Sequence, residues 1–216
     1  MTTDELRAAL EAVIEHADRP HVERLSLTAA IVSAALRLEG LEATLVGGSA
    51  IEFYTPGSYV TSDIDLVVER LQHVPQLEPA LERAFASLGF HRAGRHWTRN
   101  DLFVEVPGTS VIDPTATFAI GPYVLRVLRK EILLGERIAG FKHWRYTAYG
   151  AQALDMIAAF RDDLDEDILK RYLEREGAID AYLALQELAA SDVSIGEEVL
   201  QAQLQRLNDS HFPETT

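Results

Sequence analysis

Apolar residues recur at helical spacing through the first forty positions. Leu6, Leu10, Val13 and Ile14 form one stripe, and Thr2, Thr3 or Asp4 can cap its start. Arg19-Pro20 breaks the pattern. Leu25, Ala29, Val32 and Leu36 form a second stripe, which Gly40 closes as a C-terminal cap. The texture changes near residue 42. Ala43 to Val46 is a short apolar run ending in Gly47-Gly48-Ser49, and Ser49 to Phe53 can open a short helix. Thr, Pro, Gly and Ser dominate 55–61, which reads as a loop. Ser62 to Val68 reads as a strand. Pro75 to Leu88 is helical, with Leu77, Leu81, Phe85 and Leu88 on one face. Arg95 to Thr98 and Leu102 to Val106 suggest two strands joined by a turn around Arg99-Asn100, and Tyr123 to Leu128 suggests another.

From about residue 129 the periodicity is helical throughout. The candidate helices are 132–144, 148–160, 167–176, 179–189 and 195–207. The polar tail 208–216 is expected to be loose. No internal repeat or low-complexity tract is present. These patterns predict an α+β protein. A small mixed β-sheet flanked by helices occupies 1–128, and a helical region occupies 129–216.

Composition narrows the classes. Of 216 residues, 47% are hydrophobic and 25% charged, which supplies ample material for a core. Lys and Arg total 20 against 34 Asp and Glu, a formal charge of −14. That balance opposes broad binding to a phosphate backbone, although Arg92, Arg95, Arg99, Arg126, Arg129 and Lys130 could still form a local basic patch. With no cysteine, disulfides and cysteine-ligated zinc are excluded, as suits a reducing compartment. Charges interrupt every apolar run before about 18 residues, and the acidic, amphipathic N-terminus does not resemble a signal peptide. A cytoplasmic protein without a membrane partner is the expectation. The seven histidines show no zincin spacing.

The chemistry concentrates in three places. On a strand, Asp63 and Asp65 share one face while Ile64 and Leu66 take the other. Two carboxylates that close repel unless a cation lies between them, and an oxygen-seeking divalent ion such as Mg²⁺ is the economical solution. Glu105 alternates with Val104 and Val106 in the same way, and it joins the pair if its strand is a neighbour. Three such carboxylates can hold two ions and serve an in-line displacement at phosphorus. Upstream, Gly47 and Gly48 let the backbone turn tightly, and the N–H groups of the following helix, with the Ser49 hydroxyl, can receive a phosphate.

The strings LVGGSA and TSDIDLVV resemble the signature of the DNA polymerase β-like nucleotidyltransferase superfamily, a Gly-Gly/Ser turn followed by Asp-hydrophobic-Asp. Within it the chain is most similar to the minimal nucleotidyltransferases and AbiEii-like toxins. The resemblance implies a nucleotidyltransferase core with a helical C-terminal part. It implies Asp63, Asp65 and Glu105 as catalytic metal ligands, two Mg²⁺ ions, and a nucleoside triphosphate, ATP among the choices, seated on Gly47, Gly48 and Ser49. The basic residue that the family carries on a helix after the sheet maps to Arg137 or Lys142. The implied acceptor is a tRNA end, a protein or a small molecule, and an antitoxin protein is an implied partner. A non-catalytic nucleotide-binding module on the same scaffold is the second reading, and a glycosyltransferase using Asp63-x-Asp65 the third.

Other segments read more plainly. Arg95-His96-Trp97 reads as a core tryptophan with polar flanks in preference to a segment that sets one of its residues near a nucleotide base or acceptor. Lys142-His143-Trp144-Arg145 suits either base stacking and phosphate contact or the end of a helix packed through Phe141 and Trp144. The acidic stretch 161–167 reads as a solvated connection between helices.

Overall fold

The computed structural model describes residues 1–71, 74–191 and 195–209. The chain is α+β and divides into two compact units, Met1–Arg129 and Lys130–Thr216.

The first unit begins with α1 (Thr3–Glu15), which Thr2 and Glu5 cap reciprocally, the Glu5 carboxylate accepting the Thr2 N–H and the Thr2 hydroxyl accepting the Glu5 N–H. Leu6, Leu10 and Val13 are buried as the stripe requires. Pro20 caps α2 (His21–Leu38), whose buried face includes Leu25, Ala29, Val32 and Leu36. Then follow β1 (Leu41–Leu45), α3 (Gly47–Tyr54), β2 (Ile64–Arg70), α4 (Leu77–Ser87), β3 (His91–Ala93), β4 (His96–Arg99), β5 (Leu102–Glu105), β6 (Thr115–Ile120) and β7 (Tyr123–Leu128). They form one seven-stranded mixed sheet in the order β3-β4-β5-β2-β1-β7-β6. The β1–β7 and β2–β5 pairs are parallel and the others antiparallel. α2 packs on β1 and β7, with α1 and α4 against it. Leu41, Leu45, Leu66, Val68, Leu125 and Val127 are fully buried at the sheet centre. Each contributes roughly 1.5–3 kcal/mol of burial free energy.

Three differences from the sequence reading are informative. The strand carrying the aspartates starts at Ile64, so Asp63 stands in the bend before it. Two strands, β3 and β6, have no counterpart in the sequence reading. The helix α3 begins at Gly47, so the glycine pair is its first turn.

The second unit is helical: α5 (Lys130–Trp144), α6 (Thr147–Phe160), α7 (Glu166–Glu176), α8 (Ile179–Ala189) and α9 (Glu197–Asp209). Its core is built from Leu133, Leu134, Ile138, Phe141, Leu169, Leu173 and Leu185, all fully buried. Asp165 caps α7 by accepting the Ile168 N–H, and the acidic connection before it is largely exposed. Of the tail expected to be loose, 208–209 end α9 and 210–216 lie outside the described residues. No helix among the described residues is long and apolar enough to cross a membrane.

Candidate functional site

Strand register gathers the site. The β4–β5 hairpin turns at Asn100-Asp101, with Asn100 at φ 54°, a left-handed conformation that asparagine tolerates. This turn pairs Arg99 with Leu102, Trp97 with Val104 and His96 with Glu105. β5 then runs parallel to β2, pairing Val104 with Ile64 and Glu105 with Asp65. Directly paired residues share a face of the sheet. His96, Glu105 and Asp65 therefore stand side by side across three strands. The row on the other face, Trp97, Val104 and Ile64, is buried, and Trp97 stacks on Phe85 with the rings 4.5 Å apart and parallel to within 3°. The core tryptophan expected from the sequence is thus present, and it is what fixes His96 on the opposite side.

Asp63 reaches the same place from its bend. Buried Glu52, on α3, accepts the Thr61 N–H at 2.8 Å and pairs with His21 Nδ1 at 2.6 Å. The Thr61 hydroxyl in turn donates to Asp63 Oδ1 at 3.1 Å. Asp63 Oδ2 then lies 3.5 Å from His96 Nε2, which is 3.6 Å from Glu105 Oε2. One donor atom from each of Asp63, His96 and Glu105 falls within 4.8 Å of the others. Arg95, in the turn between β3 and β4, places its Nε 3.4 Å from the same Glu105 oxygen.

Asp65 belongs to the row but faces a different partner. Burial pushes its carboxyl up to about 6, and the charges of Asp63 and Glu105 push the same way. Hydrogen bonds from the Gly48 and Ser49 N–H groups oppose that rise. The first turn of α3 therefore holds a carboxylate of the chain itself. Gly47 permits this closeness: at φ +59° it adopts a conformation unfavourable to other residues, and a β-carbon there would stand 2.7 Å from Asp65 Oδ2. At Gly48 a β-carbon would stand 3.1 Å from the Tyr59 ring. Fully buried Ser49 accepts the Asp65 N–H at 3.0 Å and donates to the Val46 carbonyl at 2.9 Å. Its hydroxyl stitches α3 to β2, a task the sequence reading did not give it.

The six positions expected at the first-unit site thus fall into two adjoining sets. Asp63 and Glu105 converge with His96, which the sequence reading did not name as a ligand, while Gly47, Gly48, Ser49 and Asp65 form the helix-turn contact. Beside Asp63 opens a cleft of about 120 Å³ walled by His21, Arg24, Thr61, Asp101 and Phe103. Lys142 belongs to the second unit, where its ammonium donates to both Asp180 oxygens at 2.7 and 2.8 Å and to the Gly177 carbonyl at 2.7 Å. Beyond it Phe141 is fully buried and Trp144 is 71% exposed, so only the former packs as the helix-end reading requires. The residues of the suggested basic patch are individually engaged: Arg92 by Glu78, Arg95 by Glu105, Arg99 by Glu11, Arg126 by Glu69 and Lys130 by Asp163, and Arg129 too has a partner.

The donor set suits a divalent cation. Two carboxylates and an imidazole meet on one face, and a third carboxylate stands alongside, its pKa raised by burial first and by its two acidic neighbours second. No protein-family model, curated protein or solved structure matches the chain.

Proposed function

We propose that the protein is a divalent-metal-dependent nucleotidyltransferase, moving a nucleoside monophosphate from a triphosphate to an acceptor hydroxyl. One observation supports this reading: Asp63 and Glu105 converge, and Asp65, paired with Glu105 across the sheet, lies against the Gly47 turn, residues that the polymerase β-like resemblance singles out. A bound divalent ion would offset the charge developing on the phosphate oxygens. Asp63 and Glu105 supply oxygen donors to hold it, and Asp65 stands at the first turn of α3. In the transfer, the acceptor oxygen bonds to the α-phosphorus, the bond to the β-phosphate breaks, pyrophosphate leaves with the bonding electrons, and the acceptor's proton passes to water. The acceptor is a tRNA end, a protein or a small molecule in a cytoplasmic setting, and a toxin–antitoxin role fits the same resemblance.

A second reading, a nucleotide-binding module without chemistry, is favoured by the group that could hold an ion, which takes in Asp63, His96 and Glu105 but leaves Asp65 out. Incubation with each radiolabelled nucleoside triphosphate in a cell lysate, with pyrophosphate release followed in parallel, separates the two. Transfer predicts a labelled acceptor and its loss in Asp63→Asn with folding intact. Nucleotide binding with neither label transfer nor pyrophosphate favours the module.

A further inference from the structure

The row across β4, β5 and β2 contains a nitrogen donor that an all-carboxylate centre does not require. His96 Nε2 faces Asp63 Oδ2 at 3.5 Å and Glu105 Oε2 at 3.6 Å. A ring nitrogen placed between two carboxylate oxygens is satisfied either by its own proton or by a cation shared with them. Its orientation is not an accident of an exposed side chain. The hairpin register sets it opposite Glu105, and the buried stack of Trp97 on Phe85 holds the strand's other face in the core. Asp63 is likewise fixed from behind, through Thr61 and buried Glu52.

We propose that His96 is a ligand of the metal centre and that it makes the site selective for a divalent first-row transition ion over Mg²⁺. The donor chemistry favours this. Imidazole nitrogen binds such ions well, whereas Mg²⁺ prefers oxygen and retains several of its waters. The donor atoms are close enough to share one ion: His96 Nε2 lies 3.5 and 3.6 Å from the two carboxylate oxygens, and all three atoms fall within 4.8 Å of one another. Entry of the ion competes with the Arg95 guanidinium, which shares the Glu105 oxygen at 3.4 Å. This assignment rests on the metal-binding half of the proposed function and not on its transfer chemistry.

Mn²⁺, the weakest binder of the transition series, gives a stringent probe. Tag-free, chelator-treated protein is titrated with Mn²⁺ by electron paramagnetic resonance, Mg²⁺ is then used as competitor, and the bound ion is analysed by electron spin-echo modulation. The expected result is Mn²⁺ affinity at least about tenfold above that of Mg²⁺, with nitrogen-14 modulation from one imidazole. His96→Gln should lose that modulation and most of the Mn²⁺ preference. Bound Mn²⁺ without nitrogen modulation in the wild-type protein overturns the assignment whether or not the variant folds. So does an unchanged Mn²⁺ preference in folded His96→Gln. Nitrogen modulation in a protein that transfers no nucleotide upholds the ligand and removes the transferase.

Discussion

Asp65 shows how a site can work against the stability of its own fold. Its carboxyl is raised from 3.8 to about 6 by burial first and by Asp63 and Glu105 second, so folding favours the protonated form. The contribution to stability is therefore complete below about pH 4 and is lost as the pH climbs through about 6. The displacement caps the effect at roughly 3 kcal/mol. Screening of a partly exposed group brings the realised value to about 1–2 kcal/mol. Asp65→Asn keeps an acceptor for the Gly48 and Ser49 N–H groups and removes the charge. We expect the metal-free variant to exceed wild type in urea stability by about 1–2 kcal/mol at pH 8, with the advantage vanishing at pH 4. An equal difference at both pH values would contradict this account.

At the scale of elements, helix α3 is the organiser of the site. Its first turn holds Asp65, and Glu52 in its second turn holds the loop that delivers Asp63. Replacing Glu52 with Ala strands the Thr61 N–H in a buried position, which costs about 1–3 kcal/mol. Urea denaturation should show that loss, and amide exchange at 61–63 should quicken more than exchange in β7. The elements also show what periodicity reveals. Leu6, Leu10 and Val13, or Leu81 and Phe85, bury one face of a helix, and such stripes announce themselves. β3 does not, because His91, Arg92 and Ala93 are all exposed on an edge strand and carry no alternation. β6 lies at the opposite edge with no buried position, so the same signal is missing. That Asp63 and Glu105 come together was legible from residue type and spacing. His96 was legible only through register: a two-residue turn at Asn100-Asp101 puts residue 96 opposite 105, and that arithmetic needs the turn fixed first. The inward seating of Ser49 and Asp65 left no trace in residue order, since it depends on which face of α3 meets β2.

For the whole molecule, the charge of −14 and the pairing of its cations govern which partners can approach. Arg92, Arg99, Arg126 and Lys130 already answer to acids of their own chain. Random-sequence duplex should therefore bind more weakly than about 10⁻⁴ M at 150 mM salt. Fluorescence anisotropy with a labelled oligonucleotide checks this, and micromolar binding there would show that the paired cations are released to phosphate. The same charge concentrates divalent cations near the surface. The sheet adds one more consequence. Its outer strands β3, β4 and β5 join the remainder through β2 and β5, whose register spans only Ile64–Val104 and Asp65–Glu105. The ionisable row straddles that narrow seam. Mutual repulsion among its acids works against that seam, and on the proposed metal site a seated cation would hold it shut, so ion loading and the cohesion of the two halves of the sheet would be one equilibrium seen from two sides.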